Sequence, residues 1–149
     1  QQVPFVKELM DRVQRRVGGP VGSGFVRSLL GRKCRFNLWE PNLFVSSKAL
    51  PRDQAVIEYG TNIKRAYTYK ALNRLIQASA ADQTKKCMVE IYKTGKVPLV
   101  QIHDELAISI KDMEEAKSIQ AIMENSVELQ VPSPTDAAFG PNWGNLKDA

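Results

Sequence analysis

Only one histidine and two cysteines occur in the 149 residues, which leaves little with which to build a zinc site or a disulfide framework. Cys34 and Cys87 stand far apart without metal-ligand spacing, so two free, buried thiols are expected. No apolar run approaches the length that crosses a bilayer, and the start Gln1-Gln2-Val3-Pro4 lacks the basic-then-apolar pattern of a signal peptide. No membrane partner and a cytoplasmic location are therefore expected. Internal repeats are absent, and the length suits one domain's worth of core. Acidic residues are scarce in two long stretches. Residues 1–37 hold eight Lys/Arg against two Asp/Glu, residues 61–96 repeat that ratio, and residues 97–149 reverse it with three Lys against nine acids. Basic segments followed by an acidic end suit a protein that grips a polyanion, although basic surfaces also occur on proteins that bind no nucleic acid.

The apolar pattern predicts an α+β chain, mainly helical, with long helices packed on a small antiparallel sheet. From Val3 to Val17, Val6, Leu9, Met10, Val13 and Val17 recur at helical spacing with Lys7, Arg12, Arg15 and Arg16 on the other faces. Gly18-Gly19-Pro20 should end that helix. Phe25–Leu30, Gly31-Arg32 and Lys33–Trp39 read as a hairpin dominated by Arg27, Arg32, Lys33 and Arg35. Residues 40–60 read as an inserted loop around a short helical piece near Arg52-Asp53. From Asn62 to about Thr94 no Pro or Gly intervenes, and Leu72, Ile76, Ala80, Cys87 and Ile91 mark one face of the longest expected helix, ended by Gly95. Asp112 should cap a helix running to about Val127, with Met113, Ala116, Ile119, Ile122 and Met123 as its stripe. The tail from Val131 should be extended and packed down by Trp143.

Two stretches carry candidate chemistry. Pro98–Ile110 places His103, Asp104 and Glu105 between two β-prone segments, and a strand, tight turn and strand would lift all three to one exposed tip. The alternation of Leu106, Ile108 and Ile110 with Ala107 and Ser109 has the period of a half-buried strand, and a firmly held carboxylate is what a hard cation such as Mg²⁺ requires. A solvated turn is the plainer reading, since Asp is common in turns. In the long helix Asn73 and Gln77 lie four apart on one face, with Lys70 three residues earlier on the same face. Amides both donate and accept, so they can bond the minor-groove acceptors shared by every base pair. Ala78, Ser79, Ala80 and Ala81 would let another backbone approach closely. Taken alone, incidental surface amides above a tight packing contact account for this helix as well.

Together these segments resemble family A DNA polymerases, the bacterial DNA polymerase I and bacteriophage replicative group. The resemblance rests on Gln77-Ala78-Ser79-Ala80-Ala81-Asp82, on Gln101-Ile102-His103-Asp104-Glu105-Leu106, and on Val131-Pro132 through Gly140-Pro141-Asn142-Trp143, in matching order and approximate spacing. Pro4-Phe5-Val6-Lys7-Glu8-Leu9-Met10 and Gly24–Lys33 look like the segment that follows the family's nucleotide-binding fingers helix. Nearly the whole chain is covered, residues 39–60 least well.

The resemblance implies the C-terminal palm with the base of the fingers: residues 1–60 as fingers-base helix, basic hairpin and inserted loop, and residues 61–149 as palm with the catalytic hairpin. It further implies phosphoryl transfer, in which a primer 3′-hydroxyl attacks the α-phosphate of a deoxynucleoside triphosphate with two Mg²⁺ ions held by carboxylates. Asp104 would be a catalytic, metal-binding carboxylate, and Glu105 would assist beside it. His103, Gln77, Asn73, Lys70 and Arg32 would contact primer-template DNA. Two departures stand out: Ala78 replaces the Gly of many members, and Tyr69 replaces a bacterial Arg, with Lys70 next to it to supply charge. The family's other motifs, an Asp in an Asp-Tyr-Ser-type strand and the Arg/Lys-bearing fingers helix, do not occur. The chain is thus expected to be a fragment, or the C-terminal piece of a polymerase divided between two polypeptides, and to need an N-terminal partner. In a viral setting its location would be the host cell cytoplasm. A non-catalytic DNA-binding or assembly module on the same scaffold is the alternative; a metal-dependent nuclease lacks the further clustered acids it would need.

Overall fold

The structure, a computed structural model, describes residues 4–19, 21–43 and 47–148. Helix α1 spans Pro4–Gly18, as its periodicity predicts; the expected first residue, Val3, and Pro20 lie outside the described residues. Only the end of its apolar stripe is covered. Val17 is fully buried and Val13 packs beside it, whereas Phe5 is 65% exposed and Val6, Leu9 and Met10 are exposed as well.

Two compact units divide the chain, Gln1–Ser79 and Ala80–Ala149. In the first, β1 (Phe25–Arg27) and β2 (Lys33–Arg35) form an antiparallel ribbon with Phe25 opposite Arg35, Val26 opposite Cys34 and Arg27 opposite Lys33. Side chains alternate across a strand. Val26 accordingly joins Val17, Phe36 and Ala71 in the core, with Val13, Cys34 and Leu75 packed against them. Cys87 is buried as expected, but Cys34 is only half-buried, because it lies on a short ribbon with one covered face. The hairpin is shorter than its sequence suggests, since Leu38–Pro41 leaves it as β3.

The short helix expected near Arg52-Asp53 is present, but the stretch 40–60 also contributes strands to a sheet. Strand β3 (Leu38–Pro41) pairs with β4 (Leu50–Pro51) on one side and with β5 (Ile63–Arg65) on the other, and α2 (Arg52–Tyr59) follows β4 directly. Trp39 holds one cation from the sheet and one from α2: the Arg65 guanidinium lies 4.6 Å and that of Arg52 5.8 Å from its ring centre. Since β5 occupies 63–65 and a 3-10 turn occupies Thr68–Lys70, the long helix α3 runs over Ala71–Lys93 and starts nine residues later than its periodicity suggests. Its expected face is only partly right. Cys87 and Ile91 are buried but Ile76 is 57% exposed and Ala80 is exposed, and Ala71, Asp82 and Thr84 are buried instead. Gly95, at φ +86°, ends it as expected.

In the second unit, β6 (Pro98–Ile102) and β7 (Glu105–Ile108) form a hairpin, and α4 (Met113–Asn125) is capped by Asp112, whose carboxylate accepts from the Glu115 backbone N–H at 2.9 Å. The Cys87 thiol donates to the Met123 carbonyl at 3.4 Å, joining α3 to α4. Trp143 does not pack the tail down, being 57% exposed. Instead, the Thr135 N–H donates to Glu124 on α4 at 2.9 Å, and Gln120 donates to the Thr135 carbonyl. The tail closes with β8 (Ala138–Phe139) paired to β9 (Lys147–Asp148). No helix among the described residues is long and apolar enough to cross a membrane.

Gly24 joins the ribbon to the sheet. At φ +72° it adopts a conformation that costs an L-residue about 1–2 kcal/mol, and a Cβ there would lie 2.7 Å from the Arg65 guanidinium carbon. That guanidinium is pinned by its 3.0 Å bond to the Phe36 carbonyl and by the Trp39 ring, so it cannot swing aside freely. Gly24→Ala is therefore expected to destabilise the fold by more than Gly31→Ala, where φ is +87° but nothing lies within 4 Å. Urea midpoints of the two variants check this; equal shifts would remove the role assigned to Arg65.

Candidate functional site

The tip forms because β6 and β7 pair with Ile102 opposite Glu105, leaving His103 and Asp104 as a two-residue turn. Such turns need a positive φ at a central residue. His103 supplies it at +56°, a strained conformation for a residue with a Cβ, and the Gln101 amide donates to its carbonyl at 2.9 Å. His103, Asp104 and Glu105 are all exposed. The apolar flanks do not clamp the turn as expected. Leu99 is 65% exposed, Val100 and Ile102 are also exposed, and Leu106, Ala107 and Ile108 are all half-buried instead of alternating. A hairpin of two strands has no second layer of its own to bury both faces.

The amides stand on the first turns of α3. Asn73 and Gln77 are exposed, one helical turn apart. Before them the chain reverses at Tyr67, at φ +60°. The Lys70 ammonium lies 5.3 Å from the Tyr67 ring centre and 5.5 Å from that of Tyr69, so the two rings hold its charge in place. No glycine or turn motif marks Tyr67 in the sequence, which is why it escaped the sequence reading. Arg74 escaped it too: it donates to the Arg35 carbonyl at 3.0 Å and covers the Phe36 ring at 4.7 Å, fixing this face of α3 to the ribbon.

The small residues after Gln77 admit the ribbon's loop. The Ser79 hydroxyl donates to the Leu75 carbonyl at 2.7 Å and accepts from the Leu29 N–H at 2.9 Å, while Arg32 donates to the Ala78 carbonyl at 3.0 Å. Arg32 thus anchors the loop to α3. Lysines hold two carboxylates below the usual carboxylate range. Glu90 is lowered by hydrogen bonds from Lys86 and Lys93, and Glu115 by the hydrogen bond from Lys96 and then by the Lys111 backbone N–H. Among the described residues no group of three or more His, Cys, Asp or Glu could hold a metal ion. Asp104 and Glu105 offer oxygen donors of the type Mg²⁺ takes, but a two-ion site needs further carboxylates.

Residues 1–145 match the sequence profile described as DNA polymerase family A. A DNA-directed DNA polymerase of Pseudomonas phage M6 is 35% identical over 144 residues, covering 97% of this chain and 18% of that protein. DNA polymerase I of Geobacillus stearothermophilus is 28% identical over 153 residues, again 97% of this chain but 15% of the relative. DNA polymerase I of Deinococcus radiodurans is 38% identical over 85 residues, 52% of this chain and 9% of the relative. The chain thus spans less than a fifth of the length of these curated relatives.

Proposed function

Since this chain belongs to DNA polymerase family A, we propose that it is the C-terminal palm and fingers-base part of a template-directed DNA polymerase, extending a primer 3′ end in the cytoplasm. The observation that carries this reading is the β6–β7 hairpin, which presents Asp104 in a two-residue turn with His103 before it and Glu105 after it. Asp104 holds Mg²⁺ and Glu105 orders ligands beside it. When bound, the metal supplies charge neutralisation at the attacking and leaving oxygens. His103 contacts the primer terminus, where an imidazole can bond a sugar or phosphate oxygen. Asn73 and Gln77 bond the minor-groove acceptors of the newest base pair, and Lys70, braced by its two tyrosines, meets a backbone phosphate. Arg32, exposed where it anchors the ribbon's loop to α3, lies against the DNA.

A partner segment supplies the second metal carboxylate and the triphosphate-gripping helix. Two features support that part of the reading. The β6–β7 hairpin stands as a separate two-stranded sheet with exposed Leu99, Val100 and Ile102, and α1 presents Phe5, Val6, Leu9 and Met10 to solvent. Apolar surfaces of this kind mark contacts with further protein. The test is primer extension with the chain alone, with a polypeptide carrying the missing family segments alone, and with the two mixed. Extension by the mixture only is the expected result. DNA binding without extension in any mixture would overturn the polymerase reading and favour a non-catalytic assembly module.

A further inference from the structure

The β1–β2 ribbon has a second face that the core does not use. Phe25, Arg27, Lys33 and Arg35 all point away from the side on which Val26 and Cys34 pack, because residues directly opposite in an antiparallel pair share a face. Arg27, Lys33 and Arg35 are exposed. Among the described residues none of the three is in an ion pair, so their charges are not neutralised within the fold. They are also gathered. The Lys33 ammonium lies 4.8 Å and the Arg27 guanidinium 5.4 Å from the centre of the Phe25 ring. Arg35 stands two residues along the strand from Lys33, a separation of about 6.8 Å by strand rise. Two like charges therefore flank one ring and a third stands on the same face of the ribbon, a repulsive arrangement that a polyanion relieves.

We propose that this outward face binds the phosphate backbone of single-stranded DNA without reading its sequence. The polymerase reading enters only in identifying that strand as unpaired template. The shape of the patch favours a single strand over a duplex. Two of its three cations converge on one aromatic ring over a ribbon of three-residue strands, too short to follow the phosphates of two strands across a groove. A flexible single strand can curve into such a spot, laying successive phosphates on Lys33 and Arg35 and a base near Phe25. The 3.0 Å bond from Arg27 to the Gly31 carbonyl holds its guanidinium at the loop end of the patch.

Fluorescence anisotropy with labelled oligodeoxythymidylate, and separately with a blunt hairpin duplex, tests this across a salt series. Replacing Arg27, Lys33 and Arg35 together by alanine is expected to weaken single-strand binding about tenfold or more near 0.1 M salt. It should also flatten the slope of log affinity against log salt by about 2, since each phosphate contact contributes about 0.7. A control triple, Lys48→Ala, Lys85→Ala and Lys117→Ala, removes the same charge from exposed positions elsewhere and should change affinity less than about threefold if the ribbon acts as a site. Circular dichroism checks that each variant is folded, and Lys33→Glu alone should reproduce most of the loss. The proposal is overturned by equal losses in the two triples, by an unchanged slope, by a duplex that loses as much as the single strand, or by no binding of the parent chain at low salt. Primer extension by the chain mixed with a polypeptide carrying the missing family segments separates the outcomes. No extension in any mixture would remove the polymerase reading while leaving a ribbon effect standing, and extension by the mixture with no difference between the two triples would remove the ribbon alone.

Discussion

Asp104→Ala in the assembled polymerase is expected to lower nucleotide addition by at least about 1000-fold while primer-template affinity changes little, because the role proposed for its carboxylate is to hold metal at the developing charge and not to hold DNA. The position makes the experiment clean. Asp104 lies in a two-residue turn, is exposed, and makes no hydrogen bond or ion pair with the described residues, so its removal should not unfold the hairpin. Asp104→Asn should lose almost as much, since it keeps the shape but not the charge. Glu105→Ala should lose less, and part of that loss should return as Mg²⁺ is raised, as expected of a group that orders ligands without being the main one. Single-turnover extension at several Mg²⁺ concentrations measures all three. Normal turnover by Asp104→Ala would sink the metal-ligand assignment. A loss of DNA affinity as large as the loss of rate would turn Asp104 into a positioning residue of the tip.

This site was legible in the sequence to the extent that it is local. A two-residue turn between β-prone runs needs only its own residues, and an i,i+4 amide pair needs only a helix, so the tip and the Asn73–Gln77 face could be placed in advance. The same holds for α4, whose Asp112 cap lies next to the stripe it starts. Non-local pairing could not be read. Strands of two to four residues carry no periodicity, and β3 finds β5 more than twenty residues later, so residues 40–60 looked like a loop and Ile63–Arg65 looked like helix. Left-handed Tyr67 then delays α3 without any glycine to announce it. The tail misleads in another way. Trp143 is the large apolar residue that ought to be buried, yet the tail is tied down by the small polar Thr135 through Glu124 and Gln120. Hydropathy ranks side chains by transfer free energy, and a strap made of hydrogen bonds is invisible to it.

Removing both α3 amides should produce the second large effect, and a diagnostic one. In Asn73→Ala combined with Gln77→Ala, the two proposed hydrogen bonds of about 1–1.5 kcal/mol each would disappear, which corresponds to a fall of roughly 30- to 150-fold in kcat/KM for extending a matched primer end. Both residues are exposed, so stability should move by no more than about 0.5 kcal/mol and cannot account for such a fall. The minor groove offers the same acceptors, purine N3 and pyrimidine O2, at equivalent places in every correct pair. The fall should therefore be nearly uniform across the four matched termini. A mismatched terminus displaces those acceptors and already forfeits the bonds, so its extension should fall far less and discrimination between matched and mismatched ends should shrink. Steady-state extension from matched and mismatched primers measures both quantities. A sequence-dependent loss would show that the amides read base identity, and an equal loss on matched and mismatched ends would show that they only hold the helix near DNA. Lys70→Ala separates the remaining possibility. A phosphate contact has no knowledge of pairing, so that variant should weaken both ends alike and lower the salt slope by about 0.9 on a duplex primer.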